Sequence, residues 1–155
     1  MTHLIALVLA LRPDIAELTP EAASLGARVV AAEARGEDFV EQYAVAATIG
    51  NRVRSGVKWW RSREHRNAWV AVMSGRLQYA APVSPAVVEP AHRLAFLLGA
   101  VAPLGWSRRV VSFATRVTVE QKRLVEVWGD GGPSSLRPLD LPQRAHVFFE
   151  FASGT

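Results

Sequence analysis

The chain has 155 residues, which is enough for one domain with a hydrophobic core and leaves little room for a second domain. Half of the residues are hydrophobic and 21% are charged, a balance typical of globular proteins and not of disordered chains. There is no cysteine, so disulfides, thiolate chemistry and cysteine-ligated zinc are excluded. The formal net charge of +4 favours a polyanionic partner, without choosing between nucleic acid and anionic cell-wall polymers.

The first segment with a clear pattern is an apolar run from Leu4 to Leu11, which ends at Arg12 and Pro13. It is far shorter than the roughly 20 residues that span a bilayer, so no membrane span is expected. No basic residue precedes it and no clean cleavage site follows it, so no signal peptide is evident. We interpret the run as a short core helix stopped by Pro13.

Two longer helices are predicted next. Thr19 and Pro20 form a typical helix start, and Gly36 a typical helix stop. Between them, apolar residues recur at three- and four-residue spacing, as expected for a helix with one buried face: Ala22, Leu25, Val29 and Ala32. A second helix is predicted from about Val40 to Arg54, with Gly56 as its stop.

Two further helices are predicted before the pattern changes. One is a short helix at Trp69 to Met73, and the other runs from about Pro90 to Gly99. In the second of these helices, three leucines are expected to be buried: Leu94, Leu97 and Leu98.

After Trp106 the residues favour β-strands. Strands are predicted at Arg109 to Phe113, Val125 to Trp128 and His146 to Phe151, with a loop at Gly129 to Ser135. The sequence therefore predicts an α+β fold that is mainly helical and forms a single domain over residues 1–155. Its helical part covers about residues 15–105, and its β-containing part covers about residues 106–151. A cleft between two such parts is a common place for a ligand.

Glu33 lies on the buried side of the first long helix. It follows Val29 by four residues and Leu25 by eight, so it continues the apolar stripe. Apolar surroundings favour the protonated form of a carboxyl group, and glycosidic cleavage needs such an acid to protonate the leaving oxygen. The alternative on position alone is a glutamate that turns to solvent or pairs with Arg35 or Arg28.

The residues around Glu33 form a longer pattern. Residues 32–37 read Ala-Glu-Ala-Arg-Gly-Glu, and they are followed by Ala-Val-Ala at 44–46 and Asn-Arg-Val at 51–53. This pattern resembles the cell-wall hydrolase family typified by the bacterial spore-cortex-lytic enzymes. Weaker similarities are Gln78 with Tyr79, residues 112–115 and residues 146–149.

The resemblance implies a lysozyme-like fold and cleavage between N-acetylmuramic acid and N-acetylglucosamine in peptidoglycan. It makes Glu33 the acid/base of a lytic transglycosylase, which forms a 1,6-anhydro sugar without consuming water. Ordinary glycosidases use two carboxylates. Here Glu37 is the candidate second carboxylate, and its alternative is a role in stabilising the helix end or the loop.

Other residues are assigned from their chemistry. Gln78, Tyr79, Phe113 and Thr115 are candidate sugar contacts, and each has a core or loop role as its alternative. Asn51 is expected to have a structural role, hydrogen-bonding to the loop after Glu33. The four histidines have no metal-site spacing, so neither a metal nor a cofactor is expected: His3, His65, His92 and His146.

The expected function is therefore that of a peptidoglycan lytic transglycosylase or muramidase whose partner is the glycan strand. Synthesis in the cytoplasm is expected, followed by release to the wall by lysis or transport in a phage-like particle, whose proteins are then partners. A non-catalytic wall-binding or particle component with the same fold is the second hypothesis. A nucleic-acid binder is the third and least favoured, because no DNA-binding pattern is present.

Overall fold

The computed structural model describes residues 18–56, 60–75, 79, 87–101, 110–115, 119, 136–139 and 145–151. These residues form helices α1 (Pro20–Glu33), α2 (Phe39–Ser55), α3 (Ala68–Met73) and α4 (Pro90–Val101). They also form strands β1 (Val110–Thr115), β2 (Leu136–Leu139) and β3 (His146–Phe151). The fold is a mainly helical α+β fold, as predicted.

Helix α1 begins and ends where its sequence predicts. Thr19 Oγ1 accepts a hydrogen bond from the Ala22 backbone N–H at 3.2 Å, and Pro20 occupies the first turn, where its missing N–H costs nothing. The helix ends at Glu33, and Gly36 follows in the left-handed region at φ 80°. The chain therefore turns sharply just after Glu33.

Helix α2 is central to the helical part. The Asp38 side chain caps its start by accepting from the Glu41 backbone N–H at 2.8 Å, and Gly56 ends it at φ 71°. The predicted helix and its stop are therefore confirmed. Helix α3 confirms the predicted short helix, and its cap is Asn67.

Helix α4 lies so close to α2 that a side chain at Gly99 has no room. A Cβ atom built on Gly99 would lie 2.6 Å from the Ala46 Cβ atom and 2.7 Å from the Ala47 backbone nitrogen. The predicted burial of Leu97 is confirmed, but Leu94 and Leu98 are 45% and 42% exposed. The prediction for these two was wrong because α4 packs mainly through its small residues and Phe96, not through a leucine stripe: Ala95, Phe96, Gly99 and Ala100.

The sheet is antiparallel, with β3 between β1 and β2. Phe148 of β3 lies opposite Phe113 of β1 on one side and Leu139 of β2 on the other. The predicted strands at β1 and β3 are confirmed, whereas β2 was not predicted. It contains Pro138, which a strand tolerates at the edge of a sheet because no ladder hydrogen bond is lost there.

Three predicted segments lie outside the described residues: the helix at 4–11, the strand at 125–128 and the loop at 129–135. In the part of the chain that the structure describes, no helix is both long enough and apolar enough to cross a membrane.

Candidate active site

Glu33 is the last residue of α1 and is partly buried. The two residues before it on the same stripe, Val29 and Leu25, are buried, so the helix presents Glu33 at the edge of the core. Ala34 follows as a fully buried residue, and its backbone N–H donates to the Val30 carbonyl at 2.9 Å. The predicted position of Glu33, continuing the apolar face of the helix, is confirmed.

Arg52 is a buried cation on the neighbouring helix α2, with 3% of its surface exposed. Its Nε atom donates to the Val111 carbonyl of β1. Its guanidinium carbon lies 5.1 Å from the ring centre of Trp60 and 5.2 Å from that of Tyr79, within the range of cation–π attraction. Arg52 therefore joins the helical part, the sheet and two aromatic rings.

Tyr79 lies between the two parts of the fold and packs against two hydrophobic clusters. One is within the helices and contains Trp69 and Phe96, and the other contains Phe113 and Phe148 of the sheet. The Tyr79 hydroxyl oxygen is buried and has no hydrogen-bond partner of normal geometry among the described residues. Arg52 beside it is a donor only, so the phenol proton has no acceptor there. The buried phenol proton of Tyr79 therefore lacks an acceptor among the described residues.

The electrostatic surroundings of Tyr79 link it to Glu33. Burial raises the pKa of the Tyr79 phenol above its ordinary value, because the charged phenolate would lose its water. The positive charge of Arg52 lowers this pKa, and the negative charge of Glu33 raises it. Glu33, Tyr79 and Arg52 are therefore close enough to share one electrostatic environment, although they come from separate segments.

A second buried carboxylate was missed by the sequence analysis. Glu41 on α2 is 2% exposed and accepts from the backbone N–H of His146 at 2.9 Å. The same oxygen, Oε1, lies 2.8 Å from His146 Nδ1. Glu41 precedes Ala44, Val45 and Thr48 by three, four and seven residues, so its place on a buried face was visible in the sequence.

Glu37 lies on the other side of the turn after Glu33. Its backbone N–H donates to the Ala34 carbonyl at 3.2 Å, and its own carbonyl accepts from Gln42 Nε2 at 3.0 Å. Glu37 lines a cavity of about 460 Å³, and Glu33 is not among the described residues that line it. The loop role predicted as the alternative for Glu37 is thus present, and its role as a second carboxylate remains a prediction.

The remaining predicted residues fall in different places. Phe113 is 8% exposed, and its ring contacts are those of a core residue, with the His146 ring centre 5.3 Å away. Thr115 is exposed at the end of β1. Asn51 is buried, and it donates to the Val110 carbonyl at 2.8 Å and accepts from Arg54 at 2.9 Å, which agrees with the structural role predicted for it. Gln78 lies outside the described residues.

Comparisons with protein families, with curated proteins and with solved structures found no match for this chain. A function for this chain therefore depends on the site and on the sequence pattern around Glu33.

The arrangement offers three chemical groups at the junction of helices and sheet. Glu33 supplies a carboxyl group, Tyr79 a phenol that can donate a hydrogen bond, and Arg52 a fixed positive charge. This set can exchange one proton with a neutral, oxygen-rich ligand and hold that ligand by its oxygens. Among the described residues, no group of three histidine, aspartate or glutamate side chains is placed to hold a metal ion.

Proposed function

We propose that this protein cleaves the glycan strands of bacterial peptidoglycan between N-acetylmuramic acid and N-acetylglucosamine, with Glu33 as its single acid/base. The observation that carries the proposal is the setting of Glu33. It ends a buried helix and shares its surroundings with a buried phenol and a buried arginine. The pattern of residues 32–53, with its resemblance to cell-wall hydrolases, gives the substrate class.

The reaction we propose is lytic transglycosylation. The Glu33 carboxyl group gives its proton to the glycosidic oxygen as the bond between that oxygen and the anomeric carbon breaks. The resulting carboxylate then takes the proton of the muramic acid 6-hydroxyl while that oxygen bonds to the anomeric carbon. Glu33 is protonated again at the end, and the product is a 1,6-anhydro sugar. One carboxylate is enough for this route.

Tyr79 and Arg52 have supporting roles in this proposal. The Tyr79 hydroxyl donates to a sugar oxygen, which gives its buried proton the acceptor it lacks. Arg52 fixes the Tyr79 ring from one side through its charge.

The decisive experiment is mass spectrometry of the soluble products that the purified protein releases from peptidoglycan sacculi. The wild type is expected to release anhydro-muropeptides, and Glu33→Gln is expected to release none, a loss of at least about a hundredfold. Glu33→Gln keeps the size and polarity of the side chain, so its circular dichroism spectrum should match that of the wild type. Reducing-end products would instead identify a hydrolase.

Glu37→Gln is the matched control, because it makes the same chemical change four residues away. It is expected to retain a substantial part of the activity. A folded and active Glu33→Gln protein would overturn the assignment of the acid/base. Binding of both folded proteins to sacculi with no released product would favour the second candidate, a non-catalytic wall-binding or phage-particle component.

A further inference from the structure

The cavity beside Glu37 has not been used by the proposed mechanism. It has a volume of about 460 Å³ and lies between the turn after α1, the first part of α2 and the start of α4. Its described lining residues are Ala31, Arg35, Gly36, Glu37, Gln42, Val87, Glu89 and His92. Since a water molecule takes about 30 Å³ of liquid, the cavity has room for an organic group as well as several waters.

One of the residues that line this cavity, Gln42, carries a buried polar atom that has no partner among the described residues. Gln42 is 7% exposed, and its Nε2 atom donates to the Glu37 carbonyl at 3.0 Å. Its Oε1 atom is buried and accepts no hydrogen bond from the part of the chain that the structure describes. A buried acceptor without a donor costs about 1–3 kcal/mol, so a ligand that brings a donor to Gln42 would recover that free energy.

The charges around the cavity favour a cation. Glu37 and Glu89 each supply a carboxylate, whereas Arg35 supplies the single guanidinium of the described lining. The formal charge of the lining is therefore negative. His92 adds neither a carboxylate nor a guanidinium to this lining. Its Nδ1 atom accepts from the Glu89 backbone N–H at 3.0 Å.

His92 also fixes the cavity wall. It is 6% exposed, and its own backbone N–H donates to the Glu89 carbonyl at 3.1 Å, so residue 89 is held by two reciprocal hydrogen bonds at the start of α4. The Glu89 backbone is therefore held in place before any ligand arrives. This lowers the conformational entropy that binding would have to overcome.

We infer that this cavity binds a primary ammonium group, with Gln42 Oε1 accepting one of its N–H bonds and Glu37 and Glu89 balancing its charge. The inference rests on the proposed function only for the origin of that group. In peptidoglycan, the amino groups of peptide side chains that are not cross-linked are primary ammonium groups. A small free amine is the other source of the same chemistry.

The test is a titration followed by NMR of the ¹⁵N-labelled protein. The probe is Nα-acetyl-lysine methylamide, which has a free ammonium group and no free carboxylate. Its Nε-acetylated form is the matched control compound. The lysine probe is expected to shift the Gln42 side-chain amide and the Gly36 backbone amide, and acetylation of Nε is expected to weaken binding by about fivefold or more. Equal binding of both compounds, or no shift at Gln42, would overturn the inference.

Two variants assign the effect to named groups. Glu89→Gln removes a carboxylate from the cavity and is expected to weaken binding of the probe by about threefold. Glu64→Gln is the control, because Glu64 is exposed and does not line the cavity. Gln42→Met should also weaken binding; since it removes the bond to Glu37 as well, its fold is checked first. Unchanged affinity in Glu89→Gln would contradict the role of the carboxylates.

Sacculi distinguish the two sources of the ammonium group. Glu33→Gln, which the proposed function makes inactive, is mixed with sacculi before and after chemical N-acetylation of their free amines. Weaker binding to acetylated sacculi identifies the wall peptide as the source, and equal binding identifies a free amine. Failure of the proposed function appears separately, as absence of cleavage by a wild-type protein whose cavity still binds the lysine probe.

Discussion

At the scale of the single residue, Tyr79 has two unusual properties. Its buried hydroxyl has no acceptor among the described residues, and the pKa of its phenol is raised by burial and by the charge of Glu33. The effects of the missing acceptor and of the raised pKa on stability are both expected to be measurable in the absence of any ligand. Residues that reduce stability in this way are often found where a protein binds or reacts.

Replacement of Tyr79 by phenylalanine tests the missing acceptor and the proposed contact with the sugar. Tyr79→Phe should leave the free energy of unfolding at pH 7 unchanged or raise it by about 1 kcal/mol, because it removes an unsatisfied polar group. If Tyr79 donates to the sugar, the same variant should lose activity on sacculi by about tenfold. A clear loss of stability would show that the hydroxyl has a partner in the folded protein.

The pKa of Tyr79 also predicts how stability depends on pH. The pKa of Tyr79 is raised in the folded state, so the contribution of this group to the free energy of unfolding is complete below the ordinary tyrosine pKa of about 10. Above that pH the unfolded chain ionises first, and the free energy of unfolding falls as pH rises toward the folded-state pKa. Thermal unfolding between pH 8 and 11 should show this decrease in the wild type and a smaller one in Tyr79→Phe.

Single residues were only partly predictable. Glu33 could be found because it interrupts an apolar period on one helix, which is a local pattern. The partners of Arg52 could not be found, because they come from β1 and from residues 60 and 79, and nothing in the sequence says that these segments meet. Phe113 was a candidate sugar contact, but the strand pairing turns it into the core.

At the scale of the element, the approach of α4 to α2 depends on Gly99. In Gly99→Ala, the new methyl group would meet Ala46 and the backbone of Ala47 at distances below 3.0 Å, so the helices must move apart. We expect the free energy of unfolding to fall by about 1–3 kcal/mol in urea denaturation. Leu98→Ala is the control on the same helix. It should cost less than about 1 kcal/mol, because Leu98 is 42% exposed.

Helix limits were predictable because caps and stops are local signals. Thr19, the predicted start of α1, and Gly56, the predicted stop of α2, act within a few residues of themselves, and the structure has both helix limits there. The orientation of α4 was not predictable in the same way. Its leucines and its small residues both form a stripe, and only the helices packed against α4 decide which stripe is buried.

At the scale of the whole molecule, Glu41 and His146 connect the helical part to the sheet. Glu41→Ala leaves the backbone N–H and the ring of His146 without this acceptor in a buried position. We expect a loss of about 2–4 kcal/mol in the free energy of unfolding. Hydrogen exchange by mass spectrometry should show faster exchange in residues 146–151 than in α2. Glu64→Ala, at an exposed position, should change neither, and equal acceleration in both elements would contradict a link specific to the sheet.

The strand order β1-β3-β2 has a consequence for how the chain folds during synthesis. A ribosome makes the four helices first, so the helical core can form while the sheet still lacks its middle strand. Among the described strands, β1 and β2 each pair with β3, so these pairings form only after β3 has emerged. The hydrogen bonds between Glu41 and His146 also form late, because the two residues are 105 positions apart. Arg52 likewise depends on β1 for its carbonyl acceptor. A nascent chain would therefore pass through a state in which the helices are folded and the contacts of Glu41 and Arg52 with the sheet have not yet formed.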